Sequence, residues 1–119
     1  PITVYGTGKQ TRDFTYVEDV VHAVVELAGK VDGCEIINIA RGREMTIYEL
    51  GCKIQKLCNS SSEVAITETP AYRHDFEIQR RIGSSEKMKR LISFDLDTEV
   101  EIGLSRVYED IQQTYVENS

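Results

Sequence analysis

The sequence is short of what a metal centre or a disulfide framework needs. Its cysteines are Cys34, Cys52 and Cys58 and its histidines are His22 and His74, and neither set has ligand spacing. An odd cysteine count with no short pairing motif excludes a stapled secreted scaffold. Cys52 and Cys58 stand six apart in a helical stretch and point to different faces. All three are expected to be buried, reduced thiols, which fits a cytoplasmic location. No apolar run approaches about 18 residues and no signal-peptide pattern is present, so no membrane partner is expected. Positive charge is scarce too: 14 Lys and Arg against 20 Asp and Glu leave a net charge of −6. That excludes general attraction to nucleic acid or anionic membrane. It does not exclude a small anionic ligand, because a few placed arginines outvote a mean charge locally.

What is present is the material of one α/β domain spanning 1–119. Ile2-Thr3-Val4-Tyr5 reads as a short strand closed by Gly6-Thr7-Gly8. Residues 8–12 read as a polar loop, and 13–16 as a brief extended piece. From Val17 the period becomes helical: Val17, Val20, Val21, Val24, Val25 and Ala28 form one apolar stripe that ends near Gly29 to Gly33. Glu35-Ile36-Ile37-Asn38-Ile39 reads as a second strand, and Arg41-Gly42-Arg43 as a turn. Thr46-Ile47-Tyr48-Glu49 has capping-box form and starts a second helix. Val64-Ala65-Ile66-Thr67 is a third strand. An aperiodic stretch follows through Arg81. Ser84 or Ser85 then caps a short helix with Met88, Leu91 and Ile92, and a last helix begins near Thr98. The strand that starts directly after Pro1 predicts a fragment of a longer chain. A domain this small leaves an apolar face for a neighbour to cover.

Three features bear on chemistry. Gly6-Thr7-Gly8 lacks the third glycine and the immediate helix of a dinucleotide fingerprint, and reads as a turn after a strand. Arg12 lies between two apolar elements, where a guanidinium could grip a phosphate in bidentate fashion. A surface ion pair with Asp13 or Glu18 accounts for it equally well. Arg73, Arg80 and Arg81, with His74 and Asp75, form a second basic cluster in the aperiodic stretch. His74 beside Asp75 is not a catalytic pair, since sequence neighbours rarely hold that geometry and no nucleophile accompanies them. His22 falls off the helix stripe and is expected at the surface. Asn38 is polar within an apolar strand and needs a partner, from a loop or a ligand.

Pro1-Ile2-Thr3-Val4-Tyr5-Gly6-x-Gly8-x-Gln10-x-Arg12-Asp13-Phe14-x-Tyr16-Val17-x-Asp19 resembles a signature of the NAD-dependent epimerase/dehydratase family of extended short-chain dehydrogenases/reductases. Asn38-Ile39 followed by Gly42 and Thr46-Ile47-x-Glu49-Leu50 is similar to the next block. Lys87-x-Lys89-Arg90-Leu91-Ile92-x-Phe94 and Glu101-x-Gly103-Leu104 are similar to the last two. The order runs through essentially the whole chain. The resemblance implies the small C-terminal substrate-binding domain of such an enzyme, with few short strands, about four helices and no Rossmann domain. It implies that Thr3 and Tyr5 lie beside a nucleotide base, that Arg12 holds the diphosphate with Asn38 nearby, and that a second arginine clamps the same phosphates. Arg73 is the nearest candidate and Arg80 the next, because Tyr72 occupies the position usual for that arginine relative to Asp75. Ala40-Arg41 replaces the usual Gly-Ser or Gly-Gly, Ser84 stands where Asp is common, and Phe94 where Trp is common.

The family's Tyr-x-x-x-Lys is not found on a helix here. Of the six tyrosines only Tyr5 has a lysine four residues on, Lys9, and it sits at a strand-to-turn junction. The expectation is therefore a nucleotide-sugar-binding part, inactive without an N-terminal Rossmann domain that carries NAD(P) and the catalytic groups. The resemblance implies transient oxidation of a UDP-, TDP- or GDP-linked sugar to a ketone in a homodimeric parent. The alternative is a non-catalytic interaction or nucleotide-binding module.

Overall fold

In the computed structural model, which describes residues 1–72 and 78–117, the chain is mixed α/β with four helices and short strands, as expected. The order is β1 (Ile2–Tyr5), β2 (Thr11–Asp13), α1 (Val17–Ala28), β3 (Glu44–Thr46), α2 (Ile47–Leu57), β4 (Val64–Thr67), α3 (Glu86–Leu91) and α4 (Val100–Glu117). β1 pairs parallel with β4, Ile2 opposite Val64 through Tyr5 opposite Thr67. β2 pairs antiparallel with β3, Thr11 opposite Thr46 and Asp13 opposite Glu44. A parallel bridge joins Thr11 to Arg80, so that the 79–81 segment runs along the other edge of β2.

Two packing centres result. In the first, α2 lies on the β1–β4 pair through Gly51, where an added Cβ would come 3.1 Å from Val64 Cγ1; Val4 is buried beneath. α2 starts with the expected capping box. Thr46 Oγ1 accepts from the Glu49 N–H at 3.1 Å, and Glu49 Oε2 accepts from the Thr46 N–H at 2.9 Å. In the second, Ala23 and Leu27 of α1 pack on Met88, Ile92 and Leu96, with Val20, Val31, Ile37, Ile39 and Phe94 around them. α1 is rich in β-branched valine, a modest helix former. Its buried residues hold it together, Glu18 and Asp19 suit its positive end, and it stops at Gly29, whose N–H donates to the Glu26 carbonyl.

Several expectations are corrected. The helix-stripe valines are not the core: Val17, Val21, Val24 and Val25 are exposed, Val25 by 69%, and only Val20 of the stripe packs inward. Glu18, Asp19, His22 and Glu26 share one side of α1, but its apolar arc is wider than the face it buries, so periodicity alone did not single out the covered residues. Residues 35–39 form no strand. Ile37 and Ile39 turn inward while Ile36 and Asn38 point out, Ile36 at 86% exposure. The alternation of a strand is kept, but no ladder partner lies beside it among the described residues. Residues 11–13 are a strand rather than loop, and 13–16 extend as a separate piece only past it. Ser85 is the N-cap of α3, but its hydroxyl accepts from the Ala40 N–H at 2.8 Å and donates to the Ala40 carbonyl instead of capping. Cys34 and Cys58 are exposed and Cys52 half-buried, all as free thiols. His22 is at the surface as expected, stacked on Phe94. Among the described residues no helix is long and apolar enough to cross a membrane.

The chain is flat, 49 × 41 × 22 Å, with a radius of gyration of 17.3 Å. A compact domain of this length would have about 13–14 Å. Its accessible surface is 8606 Å², roughly 2,000 Å² more than a folded monomer of 13.5 kDa ordinarily shows.

Gly83 is the tightest backbone approach: an added Cβ would lie 2.3 Å from Ala40 Cβ. Gly83→Ala is predicted to destabilise the fold by about 1–3 kcal/mol, as overpacking does. Chemical denaturation checks this, and an unchanged midpoint would refute the contact.

Candidate functional site

β2 is the strand to which the surrounding segments are tied. Asp13 Oδ2 accepts from the Gly42 N–H at 2.9 Å and the Gly83 N–H at 3.2 Å. The Thr11 N–H donates to the Gln79 carbonyl at 2.9 Å, and the Arg81 N–H to the Thr11 carbonyl at 3.3 Å. Thr11 and Asp13 share one face of the strand, and Arg12 points to the other.

Arg12 is half-buried opposite Met45. Its Nη1 donates to the Thr11 carbonyl and to the Ile78 carbonyl, each at 2.7 Å. Two backbone carbonyls thus orient the guanidinium. Of the two carboxylates nearest in sequence, Asp13 holds Gly42 and Gly83 through Oδ2, and Glu18 binds Arg106 Nη1 at 3.1 Å.

Thr3 and Tyr5 lie on the face of β1 turned away from buried Val4, Thr3 exposed and Tyr5 half-buried. The turn that follows uses left-handed backbone at Gly6 and Gly8, and a Cβ on Gly8 would also press on Tyr48 Cβ at 3.1 Å. Gln10, buried at the end of this turn, donates from Nε2 to the Tyr5 carbonyl at 2.7 Å. It therefore fixes the path from Tyr5 to Arg12. Its place in the motif was visible in the sequence, its burial was not. Asn38 is exposed on the extended 35–39 segment, which is a strand of neither small sheet. Arg73, His74 and Asp75 lie outside the described residues.

Two further arginines have different fates. Arg80 grips Glu44 as a fork, Nε 2.8 Å from Oε1 and Nη2 2.7 Å from Oε2, on the Thr11 face and so opposite to Arg12. Thr11 Oγ1 donates to the same Glu44 carboxylate at 2.7 Å. Arg41, whose side chain is only 5% exposed, pairs with Glu99 at 2.6 Å, and Arg43 pairs with the same carboxylate at 2.7 Å. Arg41 Nε has no hydrogen-bond partner among the described residues. The residue that departs from the family pattern is thus an internal strut between the 41–43 turn and the start of α4. Sequence reading missed this role because Glu99 is far away along the chain.

Next to Arg12's strand, Phe14, Tyr16, Leu50, Val100, Leu104 and Val107 line an open, apolar cavity of 280 Å³. Gly103 lets α4 close on Tyr16, where a Cβ would come 3.0 Å from Cδ2. Thr98 Oγ1 donates to Asp19 at 2.7 Å and ties the start of α4 to α1.

Comparison with known proteins shows the family and the fold. The family model for GDP-mannose 4,6 dehydratase matches residues 1–107. The chain belongs to that family, among the NAD-dependent nucleotide-sugar epimerases and dehydratases. It is 41% identical over 106 residues to UDP-N-acetyl-alpha-D-glucosaminuronate decarboxylase of Bacillus cytotoxicus, covering 87% of this chain and 33% of that one. UDP-N-acetylglucosamine 4-epimerase of Methanobrevibacter ruminantium, solved with UDP-N-acetylmuramic acid, superposes at a TM-score of 0.78 with 29% identity, over 94% of this chain and 35% of that one. UDP-glucose 4-epimerase of Thermotoga maritima, solved with UDP-glucose, shares the fold at a TM-score of 0.83 and 24% identity, over 96% of this chain and 35% of that one. The chain thus spans about a third of the length of these relatives.

Among the described residues, the glycine turn after β1 is not a dinucleotide-binding fingerprint for the NAD(P) that the family implies. After Gly6 and Gly8 the chain enters β2, not a helix whose N-terminus could face a pyrophosphate. Tyr5 and Lys9 are separated by the same turn and share no helix.

Glu44 supplies a pH test of the site's framework. The Arg80 hydrogen bonds, then that from Thr11, hold its carboxyl below the ordinary glutamate value against a small opposing effect of desolvation. A depressed folded value means that these bonds contribute fully above the unfolded pKa and are lost as pH falls through the folded one. NMR titration is predicted to place the Glu44 midpoint below the ordinary range, and Arg80→Gln to raise it. A midpoint that ignores Arg80→Gln would refute the link.

Proposed function

We propose that these residues are the nucleotide-sugar-binding part of an NAD(P)-dependent nucleotide-sugar epimerase or dehydratase. The observation that carries this is Arg12, set on β2 with its guanidinium oriented by two backbone carbonyls, in a chain of this family. Arg12 holds the diphosphate, Thr3 and Tyr5 lie beside the base, and Asn38 stands nearby. Arg73 supplies the second clamp, and Arg80 is turned instead to Glu44. Charge-assisted contacts of this kind contribute about 1.5–3 kcal/mol each. Gripping the nucleotide handle positions the sugar for chemistry, a proximity effect. The curated relatives are named for UDP- and GDP-linked sugars, which supports a nucleotide sugar as ligand.

NAD(P) and the catalytic groups belong to a dinucleotide-binding domain of the same enzyme, without which this part does not turn over substrate. That domain covers the exposed face of α1, with Val17, Val21 and Val25. The surface excess of roughly 2,000 Å² is more than the ~800 Å² one partner gives to a standard interface, which supports a large permanent contact. The enzyme is a cytoplasmic homodimer, with no nucleic acid or membrane partner. Three free thiols and an acidic surface support this placement.

The test is thermal protection of the full-length protein by UDP, TDP or GDP. At least one is expected to raise the melting temperature, and Arg12→Ala to abolish the rise. Protection that survives Arg12→Ala would sink the Arg12 assignment. Absence of protection by all three would favour a non-catalytic interaction module.

A further inference from the structure

We infer that Glu44 is a positioning residue for the anion grip: by clamping Arg80 it fixes the 78–81 segment against β2, and so the Ile78 carbonyl that orients Arg12. The assignment presupposes that Arg12 holds a diphosphate, as proposed above.

The chain of contacts is short. Arg12 Nη1 takes one of its two backbone acceptors, the Ile78 carbonyl, from a segment whose described side chains 78–82 are all exposed. Ile78 and Ile82 keep 41% and 43% of their surface exposed, so that apolar packing holds the segment only in part. Two backbone bonds to Thr11, the Gly83 bond to Asp13 and the Arg80–Glu44 fork attach it. The fork is a side-chain clamp formed by the segment itself. Glu44 takes Arg80 through both carboxylate oxygens and Thr11 Oγ1 through one of them, so that β3, β2 and the segment meet at a single carboxylate. Strand alternation places this cluster on the face opposite Arg12. Glu44 therefore touches no anion held by Arg12. It acts on the geometry of the grip, reducing what binding must spend on ordering a loop.

The experiment measures the affinity of the full-length protein for UDP, TDP and GDP and for the matching nucleosides. Glu44→Gln and Arg80→Gln are each expected to weaken the bound nucleoside diphosphate about fivefold, the upper range for one exposed bidentate pair. Nucleoside affinity should stay unchanged, because the base side on β1 is not involved. The double variant should weaken binding no further than either single one, and Glu44→Arg combined with Arg80→Glu should recover part of the loss. Asp95→Asn, which breaks the exposed ion pair with Lys89, should have no effect. If Glu44→Gln does not fold, Arg80→Gln carries the same expectation on an exposed side chain. Equal loss of nucleoside and nucleoside diphosphate would show a merely structural role and overturn the inference. So would unchanged affinity in both single variants while Arg12→Ala abolishes binding, and the nucleotide-sugar function would then stand. Failure of Arg12→Ala to matter would overturn that function itself.

Discussion

The carboxylate of Asp13 is the point on which the rest of the site depends. It draws the backbone N–H groups of Gly42 and Gly83 onto one oxygen, from segments far apart in the chain. Hydrogen bonds to a charged acceptor are roughly twice as strong as neutral ones. β2 has three residues and could not order its surroundings through ladder bonds alone. With Asp13 fastening the 41–43 turn on one side and the 79–83 segment on the other, the strand acts as a rigid bar. Arg12 is the outward tooth of that bar. Gly83 lies so close to Ala40 that no other residue fits without displacement, so the same crossing is set by charge and by sterics.

Much of this was legible in the sequence where the determinants are local. The capping box at Thr46 and Glu49 announces α2 within four residues, and the apolar period announces α1 and α4. β1 and β4 are short β-branched runs bounded by turns. What escaped was non-local. β2 and β3 are three residues each and polar, so no alternation marks them, and they exist because Asp13 and Thr11 find partners far along the chain. The 35–39 run misled in the opposite direction. Its pattern is that of a strand, but a strand needs a neighbour, and none lies beside it among the described residues. The valine stripe of α1 misled for a related reason: an apolar arc wider than the buried face does not say which residues are covered.

The arginines carry the same lesson for the site. Arg12, Arg41 and Arg80 are alike in sequence, each in a polar stretch between apolar elements. The fold sends Arg12 to backbone carbonyls, Arg41 inward to Glu99 and Arg80 to Glu44. Family resemblance singled out Arg12, because motif order preserves strand register. It could not assign Arg41, which replaces a small residue of the usual pattern, nor decide for Arg80, whose role is fixed by a carboxylate 36 positions earlier.

The flat shape has a thermodynamic consequence. Six apolar residues are buried among the described residues, while a row of valines faces outward. Whatever body binds that face and not the unfolded chain adds RT ln(1 + [L]/Kd) to the folding free energy. The stability of these residues is thus not a constant of their own sequence but a property shared with their neighbour, rising and falling with its presence.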